Sequence, residues 1–121
     1  NNTDFWIITH GWQENKFYAH LVSSTGINPV PVVTGSGQFV GGSDASATQG
    51  YMKISPDGKK IVLCHQFLSS VELFDFDASN GMVNNPILFS KKDQPYGAEF
   101  SADSKVLYIS LQIARAIYQY D

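Results

Sequence analysis

The stretch YMKISPDGKKIVLCHQ (Tyr51–Gln66) returns in altered form as YGAEFSADSKVLYISLQ (Tyr96–Gln112). Ser55 aligns with Ser101, Asp57 with Asp103, Lys59 with Lys105 and Gln66 with Gln112, a constant offset of 46. Both copies lead into a further alternating run, VELFDFD (Val71–Asp77) in one and AIYQYD (Ala116–Asp121) in the other. A second match runs toward the N terminus without gaps. It sets His65 on His10, Phe67 on Trp12, Ser79 on Ser24, Gly81 on Gly26 and Pro86 on Pro31, each at an offset of 55. Connector length accounts for the difference: SGQFVGGSDASATQ (Ser36–Gln49) stands where the later copy has only KKDQP (Lys91–Pro95). The chain therefore holds three copies of one unit, and periods of this length belong to propellers or solenoids.

The unit reads as four strands. YMKIS opens it, and SPDG supplies a tight turn, with Pro fixing φ and Gly accepting a positive φ. KKIVLCHQ is a near-continuous apolar run, the pattern of a strand covered on both faces. SVELFDFDAS alternates with period two. SNG turns the chain again, and PILFS is a short fourth strand whose leading Pro suits a strand start or an edge. No segment carries helical periodicity over a useful length. Four antiparallel strands per repeat describe a blade of a β-propeller. The first copy lacks an inner strand and the last lacks an outer one, so the expected fold is all-β: antiparallel four-stranded blades forming a partial propeller, about one whole blade and two incomplete ones. The repeat units fall at about 4–35, 50–90 and 96–121, within a single segment spanning 1–121.

Composition agrees with a sheet protein. The 121 residues are 43% hydrophobic, enough for a core, and 13% aromatic against only 16% charged, a mixture that suits pleated, half-buried surfaces. A net charge of −3 offers no basic face for nucleic acid. No apolar run approaches the roughly 20 residues of a membrane span. The single Cys64 excludes an internal disulfide and reads as a small buried hydrophobe. The chain begins at NNTDFW without Met, so it is expected to be a segment of a longer protein.

SPDGKKI and YGAEFSADSKVLYIS resemble the blade signature of Tyr-Val-Thr-Asn, lactonase-like and WD40-like propellers. The set DFWIITHGW, NKFYAHLVSSTGI and GYMKISPDGKK is similar to propeller regions of large secreted bacterial proteins of the gliding-motility or type IX secretion sorting type. The resemblance covers Asp4 to Asp121. It implies a propeller fold and a secreted or cell-surface location, and it carries no activity, because these motifs are turn and packing signatures. Ala102 and Ser104 depart from the SPDG pattern.

No catalytic constellation stands out, and no catalytic residue, metal ligand or cofactor is assigned. Asp57 and Asp103 recur because Asp in such a turn bonds its own backbone. His10 and His65 occupy equivalent strand ends, which invites a shared metal. The third copy has Leu111 there, however, and no carboxylate or Cys stands at ligand spacing, so both read as hydrogen-bonded or exposed histidines. His20 lies in an alternating strand. GGSDASATQG lacks the Lys and the strand–helix context of a phosphate loop and reads as a surface loop. Asp75 and Asp77 are the polar face of an outer strand. The inner strands place Lys53 and Glu99 at aligned centres, so like ligands do not ring a channel.

His10, Trp12, His65, Gln66, Phe67, Gln112 and Arg115 fall at or beside the loops joining second and third strands, and they form the candidate binding surface for a protein or carbohydrate ligand. Trp12 and Phe67 equally fit packing between blades. The expected function is a non-catalytic interaction module. The alternative is part of a lactonase-like hydrolase whose active site needs further blades. Open strand edges predict self-association.

Overall fold

The computed structural model describes residues 3–90 and 93–121. The first sheet holds β1 (Phe5–His10), β2 (Glu14–Ser23), β3 (Gly26–Ile27) and β4 (Val32–Val40), with β2 between β1 and the β3/β4 pair. The second runs β5 (Met52–Ile54), β6 (Lys60–His65), β7 (Ser70–Asp77) and β8 (Met82–Ser90) in chain order. The third has β9 (Pro95–Phe100), β10 (Leu107–Leu111) and β11 (Ala116–Tyr120). Every strand pair is antiparallel, and the all-β class expected from the repeat holds.

β6 is the hinge of the packing. Its side chains alternate between two neighbours, as a strand's period of two requires. Ile61 and Leu63 join Phe17, Phe74, Phe76 and Val83 in a core between the first and second sheets. Val62 and Cys64 join Val71, Ala98, Phe100, Leu107, Ile109 and Leu111 in a core between the second and third. The unbroken apolar run in the sequence is therefore a strand with no solvent face. Burial pushes the Cys64 thiol up to about 12, which makes it an inert core residue.

The recurring turns are the same object twice. Asp57 Oδ1 accepts from Ser55 Oγ (2.6 Å) and from the Lys59 N–H (3.1 Å). Asp103 Oδ1 accepts from Ser101 Oγ (2.6 Å) and the Lys105 N–H (3.2 Å). Ser104 takes φ 62° where Gly58 takes 71°, so the departure from SPDG costs left-handed strain but keeps the turn. The two turns also touch, the Asp57 N–H donating to Ser104 Oγ at 3.1 Å.

Three sequence expectations need correction. The fourth strand of the middle copy does not begin at Pro86; β8 starts at Met82, and a left-handed Asn85 (φ 51°) with register shifts against β7 lets it bend instead of break. The connector after the first sheet is shorter than 36–49, because Ser36–Val40 extend β4; beyond it Asp44 Oδ1 accepts from the Ser46 N–H (2.8 Å) and caps one 3-10 turn, Ala45–Thr48. The gapless match between first and second copies fails at the hairpin: His10 pairs with Phe17, whereas His65 pairs with Ser70.

Candidate functional site

The hairpins β1–β2, β6–β7 and β10–β11 carry exposed apolar side chains two residues beyond the end of the preceding strand. Trp12, Phe67 and Ile113 are 41%, 58% and 63% exposed. Phe67 is thus turned out to solvent, while Trp12 is part exposed and part against the cavity described below. Arg115 is also exposed, on a left-handed backbone (φ 50°) that closes its hairpin. Gln66 and Gln112 hold adjacent hairpins together, the Gln66 side-chain amide donating to Gln112 Oε1. Ile113 was absent from the sequence candidates, although its offset from Phe67 equals that between Gln66 and Gln112.

Beneath Trp12, between the first and second sheets, lies a cavity of about 220 Å³ whose lining includes His10, Trp12, Val40, Met52, Leu63 and His65. The two histidines named by the sequence therefore meet, in different postures. His65 is 2% exposed and lines the cavity instead of joining the exposed hairpin row. Its Nε2 lies 2.8 Å from Glu72 Oε2. Local spacing had shown no carboxylate partner, because the β6–β7 hairpin brings Glu72 to the same sheet face as His65 from seven residues away.

Glu72 is 3% exposed and well satisfied. Besides His65, both its oxygens accept from the Gln38 N–H, at 3.1 and 3.2 Å. The Gln38 side-chain amide continues the network to Ser70 Oγ at 2.8 Å. Gly37 makes this approach possible. Its φ of 77° is left-handed, and a Cβ there would stand 2.8 Å from the Phe74 ring and 3.0 Å from Glu72 Oε1. A polar knot thus ties the first sheet to the second, and a buried carboxylate is tolerable only with such partners.

His10 is half-buried at the end of β1. Its Nδ1 donates to the Gly11 carbonyl (2.8 Å), and its ring meets the edge of Phe17 with centroids 4.8 Å apart. Burial, aided by the neighbouring His65 and opposed by the Gly11 carbonyl and the charges of Glu72 and Glu14, holds its pKa below the ordinary histidine value. Glu14 stands over Gly11, bonded by Tyr18 Oη (2.5 Å) and Lys16 Nζ (3.1 Å), and the Tyr18 bond chiefly lowers its carboxyl. Among the described residues, no Lys or Arg lines the cavity. Among the described residues, no three His, Cys, Asp or Glu side chains gather as a metal site. His20, not among the lining residues, bonds the Asn28 carbonyl through Nδ1 (3.0 Å).

No family model and no curated protein matches the sequence. The fold does match solved structures. One is the crystal structure of a proposed 6-phosphogluconolactonase from Bacteroides fragilis, with a TM-score of 0.64 and 16% identity over 98% of this chain. The chain spans 32%, about a third, of that protein's length. The likeness shows a lactonase-like propeller fold, and the three stacked sheets are a partial propeller. Among the described residues, no helix is long and apolar enough to cross a membrane.

Proposed function

We propose that the chain is a non-catalytic interaction module, a run of blades (about 4–35, 50–90 and 96–121) within a propeller domain of a secreted or cell-surface bacterial protein. The observation that carries this reading is the row of Trp12, Phe67 and Ile113, exposed at matching hairpin positions of three successive sheets. Contiguous exposed apolar groups rimmed by polar ones mark interaction sites on soluble domains, and Gln112 and Arg115 supply the rim. The resemblance of the strand motifs to large secreted proteins supports the location.

A second reading draws on the likeness to a lactonase-named structure and on the His65–Glu72 pair, which resembles an oriented base. Here the chain contributes blades to a hydrolase. One experiment separates the two. The purified chain is tested for saturable binding to purified bacterial surface polysaccharides, beside a W12S/F67S/I113S variant, and for hydrolysis of 6-phosphogluconolactone. The interaction reading predicts binding that the triple variant loses at least tenfold, and lactone loss at the uncatalysed rate. Lactone hydrolysis that Glu72→Gln abolishes would overturn it.

A further inference from the structure

We propose that the cavity between the first two sheets is a monosaccharide site, taking one neutral, hydroxyl-rich ring. The proposal deepens the interaction reading and rests on it, since it assigns a ligand class to a site beneath the same hairpin end. Four observations lead to it.

The first is hydrogen-bond polarity. His10 commits Nδ1 to the Gly11 carbonyl, and His65 commits Nε2 to Glu72. In the neutral form each imidazole donates through the committed nitrogen, which leaves the other as an acceptor. Two acceptors held on opposite sheets call for a ligand with two donors, which sugar hydroxyls supply.

The second is charge. Among the described residues no Lys or Arg lines the cavity, and Glu72 is buried and bonded to His65. A phosphate or carboxylate would enter without a counter-charge and against a carboxylate. A cation has no free acid to meet, because Glu72 is already bonded by His65 and by the Gln38 N–H. A neutral ligand remains.

The third is shape. At about 220 Å³ the space falls below the range of roughly 300–1,000 Å³ of drug-sized pockets, and so suits one small ring. The fourth is the wall. Val40, Met52 and Leu63 are apolar, and the partly exposed Trp12 indole also lines the cavity. An aromatic wall matches a ring whose faces are C–H and whose rim is hydroxyl.

The test is tryptophan fluorescence of the purified chain titrated with methyl glycosides of glucose, galactose, mannose and N-acetylglucosamine. Glucose 6-phosphate and zinc chloride are titrated separately. Trp6 is the second indole in the chain, so W12F identifies the reporter. We expect at least one neutral glycoside to saturate with a signal that W12F removes, and glucose 6-phosphate to bind at least tenfold more weakly. His10→Ala, at a half-buried strand end, should weaken binding at least tenfold with an unchanged circular dichroism spectrum. Saturation by zinc alone, or no response to any neutral glycoside from folded protein, would overturn the assignment. Polysaccharide binding by the hairpin row would survive that failure, so the two readings fail separately.

Discussion

Lys53 and Glu99 stand at the same place in successive inner strands, and their charges meet: Nζ lies 2.9 Å from Oε2. The Lys53 bond holds the Glu99 carboxyl below its usual range. A carboxyl lowered on folding contributes stability that is present above its unfolded pKa and is lost as pH falls through the folded one. Both side chains are well exposed, so the contribution is small. Lys53→Glu should lower the urea midpoint at pH 7 slightly, K53E/E99K should restore it, and Lys53→Ala should differ from wild type less at pH 3 than at pH 7. A swap that fails to restore the midpoint would show that the pair is incidental.

Glu72 is the opposite case, a buried group whose loss strands its partners. Glu72→Ala leaves the His65 Nε2 and the Gln38 N–H without an acceptor, and should cost about 3–5 kcal/mol in chemical denaturation. Glu72→Gln keeps an acceptor oxygen and should cost about 1–3 kcal/mol. Equal losses for the two variants would mean that the carboxylate charge, which both remove, and not the acceptor oxygen that Gln keeps, holds the sheets together.

Two glycines with positive φ should behave differently. At Gly50 (φ 133°) a Cβ would stand 2.0 Å from the Cys64 carbonyl oxygen, whereas at Gly58 (φ 71°) nothing lies within 4 Å. Gly58→Ala meets only the left-handed penalty, about 1–2 kcal/mol. Gly50→Ala must also move β6, and should cost more than about 3 kcal/mol. Thermal melts of the two variants decide this.

Much of the fold was legible because it is written as turn chemistry and periodicity. Ser55, Asp57 and Lys59 recur as Ser101, Asp103 and Lys105 because each trio makes the same bonds. Ile61–His65 read as doubly covered because no polar residue interrupts their apolar stretch before the strand's end. The site was only half legible. His10 and His65 were visible as equivalents, but Glu72 looked like one polar residue in an alternating strand, and Gln38 like part of a loop. Their meeting depends on sheet-to-sheet packing and on the left-handed Gly37, which no local spacing encodes. The extra length of the β1–β2 hairpin was hidden as well, since a gapless offset matched on both sides of it.

His10 makes the fold sensitive to acid. Its folded pKa is depressed, chiefly by burial, with His65 adding to the effect and Gly11, Glu72 and Glu14 opposing it. Below the ordinary histidine value the unfolded chain takes up a proton that the folded chain resists, so this contribution to stability falls as pH drops through that range. His10→Asn should flatten the stability profile between pH 7 and pH 5, measured by denaturant titration at each pH. A profile as steep as wild type would place the acid sensitivity elsewhere.

The most direct test of an acceptor-lined cavity is the tautomeric state of its two histidines, read from long-range ¹H–¹⁵N correlations of the imidazole rings above pH 8. The account predicts a proton on Nδ1 of His10 and on Nε2 of His65, with Nε2 and Nδ1 respectively unprotonated. The reverse assignment at either ring would turn an N–H donor into the cavity and contradict the site described here.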